Sequence, residues 1–154
     1  FKYKVKEQLI PFSQELDYTS HYLSIQQIRM GERLRVFYDI DETCDTSLLI
    51  PPYMLQTLTE NAFKHSLEKK IGAIHITIKL KVEHSIAYLE VIDNGIGVVN
   101  QYFSIEASNG HGLKNIKSRL QLLFGNETSL NLEQIPTGGV KAVAKWPVKK
   151  TVKS

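Results

Sequence analysis

AIHITIKLKVEHSIAYLEVID, residues 73–93, is the stretch whose reading decides the fold. In its first half Ile74, Ile76, Ile78 and Leu80 alternate with His75, Thr77 and Lys79, the period-two signature of a strand with one apolar face. Ile86 to Ile92 is again β-rich, and the polar Glu83-His84-Ser85 joins the two runs, which predicts an antiparallel hairpin. Upstream, Leu34, Val36, Tyr38 and Ile40 alternate with Arg33, Arg35, Phe37 and Asp39 in one more strand, and Asp41 to Ser47 reads as the loop after it. Before that strand, apolar residues from Leu9 to Ile28 at three- and four-residue spacing predict a helix from about Pro11 to Arg29, stopped by Gly31. A second helix is expected from Pro51-Pro52 to about Ser66, because proline is tolerated in a first helical turn, where its missing N–H has no partner anyway.

Downstream of the hairpin the chain loses periodicity from Gly97 to Gly110, a loop long enough to be functional. A third helix is expected over about Gly112 to Phe124, with Leu113, Ile116, Leu120 and Leu123 on one side and Gly125-Asn126 at its end. Strands at about Ser129–Gln134 and Gly139–Trp146 follow, joined by Pro136-Thr137-Gly138-Gly139. Strands clustered beside helices, with hairpin connections, argue for an α+β two-layer sandwich rather than a parallel βαβ fold.

The composition sets limits on function. The chain has 154 residues, 42% of them hydrophobic and 23% charged, the balance of a single soluble globular domain. The net charge of +3, from 19 Lys+Arg against 16 Asp+Glu, owes much to the run Lys145 to Lys153, which reads as a solvated tail and not as a nucleic-acid surface. The single Cys44 excludes an intrachain disulfide or a multi-cysteine metal site and suits a reducing cytoplasm. No stretch approaches 18 apolar residues, so no membrane contact is expected of this chain. It opens at Phe1 inside an apparently periodic segment, and is expected to be a piece of a longer protein.

Three short motifs can carry chemistry. Glu60-Asn61-Ala62-Phe63-Lys64-His65 lies on the second helix, where 100° steps put Thr57, Glu60, Asn61, Lys64 and His65 on a side away from Leu55, Leu58 and Ala62. Mg²⁺ takes oxygen ligands and keeps several waters, so one Asn61 carbonyl beside nucleotide phosphates suffices, and Lys64 can set an ammonium against phosphate oxygens. Asp93-Asn94-Gly95-Ile96-Gly97 closes a strand; its carboxylate can accept from the adenine exocyclic amine while glycines let the backbone approach a planar ring. Gly110-His111-Gly112-Leu113 leads into a helix that begins Lys114-Asn115, so backbone N–H groups and the helix dipole face any anion there. Taken singly, these also read as a solvated helix face, ordinary turn chemistry and a hinge.

In this order and spacing the motifs, with the closing Thr137-Gly138-Gly139 turn, resemble the N, G1 and G2 boxes of the GHKL ATPase superfamily. Ile50 to Ala62, Tyr22-Leu23-Ser24-Ile25-Gln26 with Arg29, and Gly112 to Leu120 look like the LytS type of bacterial sensor histidine kinase, a likeness running from about Glu15 to Pro147. The resemblance implies a Bergerat fold, a mixed and mainly antiparallel sheet covered on one face by helices. It implies Asn61 for Mg²⁺, Asp93 for adenine, Gly95 and Gly97 for the pocket floor, and Gly110, His111, Gly112, Leu113 and Asn115 for the phosphates, with Lys64 and His65 assisting Asn61 in catalysis and Arg119 a lesser candidate. It implies ATP as phosphoryl donor and a division into residues 1–30 as a linking helix, 31–148 as the ATP-binding domain and 149–154 as a basic tail. Expected partners are a phosphoacceptor-histidine helix of the same protein or its dimer mate and a response regulator, the domain lying in the cytoplasm and the full-length protein in the cytoplasmic membrane.

The family's Asn-Pro-His-Phe type phosphoacceptor motif is absent, and none of His21, His65, His75, His84 and His111 sits in that context, so the chain is expected to bind nucleotide without autophosphorylating. The Val98 to Asn109 lid is short, and His111 stands between glycines where an aliphatic residue would be ordinary. Glu60 as a water-activating base belongs to hydrolysing relatives and conflicts with a kinase. Alternatives are an anti-sigma-factor type serine kinase and a non-catalytic nucleotide-sensing or dimerisation module.

Overall fold

The computed structural model describes residues 9–102 and 112–149. In chain order the elements are β1 (Ile10–Pro11), α1 (Phe12–Met30), β2 (Leu34–Ile40), β3 (Leu49–Ile50), α2 (Met54–His65), β4 (Ile74–Glu83), β5 (Ile86–Asp93), α3 (Leu113–Phe124), β6 (Ser129–Gln134) and β7 (Val140–Pro147). β4 and β5 form the expected hairpin, reversing over His84 and Ser85, whose φ angles of 53° and 64° are the left-handed pair that matches strand twist in a two-residue turn.

Five strands form one sheet in the order β2-β4-β5-β7-β6. β2 runs parallel to β4, from Leu34 opposite Ile74 to Ile40 opposite Leu80, and every other neighbouring pair is antiparallel. The sheet is therefore mixed and mainly antiparallel, as the resemblance implied. Side-chain alternation gives it one apolar face, on which Ile74, Ile76, Ile78 and Leu80 of β4, Ala87, Leu89 and Val91 of β5 and Val140, Ala142, Ala144 and Trp146 of β7 are buried. Phe12 and Leu23 of α1, Leu55, Leu58 and Phe63 of α2, and Leu113, Ile116 and Leu120 of α3 complete that core. On the other face the half-buried Lys79 and Glu90 stand opposite each other across the hairpin, and Tyr88 lies between the ammonium groups of Lys81 and Lys145, each 5.5 Å from its ring centre.

Two boundaries differ from expectation. Pro11 is extended (φ −65°, ψ 143°) and pairs with Leu49 in the two-stranded β1–β3 ribbon, so α1 begins at Phe12. α2 begins at Met54, because Pro51-Pro52-Tyr53 make a turn and Tyr53 takes a left-handed conformation (φ 69°). Neither helix has a side-chain cap from its own N-cap residue. Instead the first amides of α1 donate to backbone carbonyls: Phe12 to Leu48 at 2.8 Å and Ser13 to Thr46 at 2.9 Å.

The start of α2 is satisfied from a distance. Glu15 of α1 is fully buried, and its two carboxylate oxygens accept from the backbone N–H groups of Tyr53 (3.0 Å) and Gln56 (3.1 Å). Burial raises its carboxyl above the usual range, and those amide donors, with Arg119 nearby, pull it back down. A carboxylate from another helix thus does the work of an N-cap. Glu15→Ala leaves two part-buried helix-start donors without their acceptor, and should cost about 1 kcal/mol, read as a lower urea midpoint with an unchanged slope.

Candidate functional site

Asp93 is the last residue of β5, and its side chain is on the buried face with 3% exposure. Its Oδ1 accepts from Ser66 Oγ at 2.7 Å, from the Gly95 N–H at 2.8 Å and from the Val140 N–H at 3.3 Å. Its Oδ2 accepts from the Tyr102 hydroxyl at 2.9 Å. Burial pushes the carboxyl above its ordinary value, and these donors oppose that shift. The residue following α2, the turn after β5, the first residue of β7 and a helical turn at 99–102 therefore converge on one carboxylate.

The glycines around Asp93 are there because nothing larger fits. A Cβ on Gly95 would lie 2.2 Å from Ser66 Oγ and 2.5 Å from its carbonyl carbon. Gly139 combines a left-handed φ of 102° with a position where a Cβ would lie 1.9 Å from the Asp93 carbonyl oxygen. Ser66 knits the same turn together, its Oγ accepting from the Gly97 N–H at 3.1 Å and its carbonyl accepting from the Ile96 N–H at 3.2 Å. Asn94 fastens the turn to the neighbouring strand by accepting from the His75 N–H. Neither Ser66 nor Tyr102 was singled out in the sequence. Ser66 follows the Asn61 motif immediately, which is a usable signal; Tyr102 has no local pattern.

The polar side of α2 is not the free face that helical geometry suggests. Asn61 is 2% exposed and His65 fully buried, while Thr57 and Glu60 are half-buried and Lys64 is exposed. The Nδ2 of Asn61 has no hydrogen-bond partner among the described residues. The His65 ring packs on Tyr102, centre to centre 5.2 Å. A cavity of about 470 Å³ opens between α2 and α3, lined by Thr57, Glu60, Gly112, Asn115 and Arg119, among others. Gly112 is the N-cap of α3 and supplies no side chain, and Leu113 is wholly within the core, so only its backbone is available there. Arg119 donates to the Pro52 carbonyl at 3.2 Å and ties α3 to the turn before α2. Gly110, His111 and most of the Val98 to Asn109 segment lie outside the described residues.

Burial, with Lys64 and Lys69 nearby, lowers the His65 imidazole to about 4, so His65 stays neutral in the folded protein at neutral pH. Its unfolded counterpart takes up a proton below about 6.5, and stability is lost as pH falls from there toward 4. Asp93 and Glu15, both raised, act in the opposite sense, so the difference between wild type and His65→Phe isolates the imidazole. Urea unfolding should show wild type losing about 2 kcal/mol relative to His65→Phe between pH 7 and pH 5.

The site sits in a recognisable setting. No protein-family model matches the chain. It is 32% identical over 152 residues to the sensor protein LytS of Bacillus anthracis, covering 94% of this chain and 26% of that protein. It is likewise 32% identical over 148 residues to the sensor histidine kinase YesM of Bacillus subtilis, covering 96% of this chain and 26% of the other. The chain thus spans about a quarter of the length of such relatives. The catalytic domain of the histidine kinase ThkA superposes with a TM-score of 0.66 at 13% identity, over 93% of this chain and 96% of that one. The mycobacterial sensor histidine kinase MprB superposes with a TM-score of 0.62 at 11% identity, over 93% and 98%. Sequence and fold agree: along nearly its whole length the chain is similar to part of the sensor proteins LytS and YesM, and it has the fold of histidine kinase catalytic domains.

Proposed function

We propose that this chain binds ATP with Mg²⁺ and presents the γ-phosphate to a histidine outside residues 1–154, as the catalytic domain of a two-component sensor kinase. The observation that carries this reading is the Asp93 carboxylate, held at the end of β5 by Ser66 and the Gly95 and Val140 amides within a turn that admits no side chain at Gly95 or Gly139. A fixed carboxylate acceptor beside bare backbone suits a planar base that offers an amine.

The remaining residues divide the other tasks. Asn61 is the residue to hold the metal: its amide offers a carbonyl oxygen next to the cavity-lining Glu60, and Mg²⁺ needs one or two protein oxygens beside those of phosphate, while its unpartnered Nδ2 is a donor and takes no part in coordination. Bound there, Mg²⁺ would neutralise charge on the phosphate oxygens. Gly112 and the first amides of α3 offer N–H donors to anions at the cavity wall, and Asn115 stands beside them. Lys64 is exposed and able to meet phosphate as a point charge. His65, buried and neutral, acts as a wall of the base pocket rather than as a proton carrier. Glu60 accepts from Gln56 Nε2 at 3.0 Å, an arrangement that restrains its carboxylate and suits a donor domain that spares ATP from water. Catalysis by such a domain is positioning and charge neutralisation.

The wider assignment follows the relatives. The partners would be a phosphoacceptor-histidine helix, in the same polypeptide or a dimer mate, and a response regulator. The whole protein would be membrane-anchored with this domain in the cytoplasm; no helix among the described residues is long and apolar enough to cross a membrane.

Two measurements test the site. Titration with a non-hydrolysable ATP analogue should give binding that weakens about ten- to hundredfold in Asp93→Asn, which keeps an acceptor for Ser66, Gly95 and Val140 but turns an amine toward the base. Asn61→Ala should weaken binding in the presence of Mg²⁺ and leave Mg²⁺-free binding unchanged; equal loss in both would remove Asn61 from the metal. In the full-length protein, labelled ATP should yield acid-labile phosphate, and its absence would favour a nucleotide sensor over a kinase.

A further inference from the structure

Tyr102 makes both contacts that a bound base would be expected to make. It is 2% exposed, its hydroxyl donates to Asp93 Oδ2 at 2.9 Å, and its ring lies 5.2 Å from that of His65, tilted by 44°. The other carboxylate oxygen already accepts from three donors, Ser66, Gly95 and Val140. With Asp93 3% exposed, an outside amine has only Oδ2 left to reach, and Tyr102 occupies that approach. A flat ring with one rim donor on a carboxylate, packed at a tilt against an imidazole, is also a description of adenine seated there.

We propose that Tyr102 is an internal stand-in for the adenine base, so that nucleotide enters by exchange with its side chain and not by filling a vacant pocket. This rests on the reading of Asp93 as the base acceptor. The consequence is quantitative: the apparent Kd exceeds the intrinsic one by the inverse of the fraction of molecules in which Tyr102 has withdrawn. The 99–102 turn lies in the connection between Asp93 and α3, so whatever moves that turn sets the affinity for nucleotide.

The test compares wild type, Tyr102→Phe and Tyr102→Ala, titrated with a non-hydrolysable ATP analogue plus Mg²⁺ and, separately, with adenosine. Tyr102→Phe keeps the ring and loses the hydrogen bond, and should bind about three- to tenfold tighter. Tyr102→Ala should bind tighter still and associate faster. The fold-change should be the same for adenosine as for the ATP analogue, because the exchange concerns the base alone; a merely structural tyrosine would lower the urea midpoint without tightening either ligand. Unchanged or weaker binding by a folded Tyr102→Phe overturns the proposal, as does a gain confined to the ATP analogue. Wild-type binding that weakens in Asp93→Asn reads the site independently, so the site survives if the Tyr102 variants fail. No binding by wild type or by either Tyr102 variant overturns both.

Discussion

A carboxylate taken out of water must be surrounded by donors, and at Asp93 those donors come from four separate parts of the chain. That requirement fixes more than one side chain. Ser66 must follow α2 immediately, the turn after β5 must pass close enough to leave no room for a Cβ at Gly95, and β7 must bring its Val140 amide alongside. The glycines are the visible result of the crowding, and the crowding is the result of the buried charge. The hydrogen bonds of the Asp93 carboxylate and the join between the sheet and α2 are thus one interaction.

The sheet makes this possible by its order. β5 is central, flanked by β4 and β7, so its last residue lies where the end of α2 and the turn before β7 meet. α2 is positioned in turn by Glu15, which reaches from α1 to its first amides, and α3 by Arg119, which reaches to the turn before α2. The three helices are tied to one another at the edge of the cavity as well as through the core, which suits a site that works by holding groups in place.

Much of this was legible in the sequence for a definite physical reason. β4 and β5 alternate almost without a break because one face is buried and the other is not, whereas edge strand β2 keeps the sequence period but leaves Phe37 and Tyr38 both exposed. The Asp93 turn was legible because carboxylate and glycines are contiguous. What escaped is what depends on residues far apart: Glu15 acts on an amide 38 positions away and Ser66 on a carboxylate 27 away, and neither leaves a periodic trace. β1 and β3 have two residues each, too few to show a period. The polar side of α2 was misjudged for a related reason. A helical wheel says which side packs on the sheet; it is silent about what covers the other side, where Tyr102 packs on His65, and both Asn61 and His65 are buried.

The two-residue reversal at His84 and Ser85 also bears on how the chain reaches this state. Closing β4 on β5 spans a short loop, so its loop-closure entropy is small, and the pair is the cheapest part of the sheet to assemble. The parallel pairing of β2 with β4 instead joins partners 40 positions apart, with α2 in between, so its loop-closure cost is larger. The hairpin that ends in Asp93 is therefore the natural seed, and β2, at the sheet's edge, the natural last addition. A molecule caught part-way would have its central strands and the carboxylate in position before the edge beside them is closed, leaving β4 with an open side able to pair with another chain.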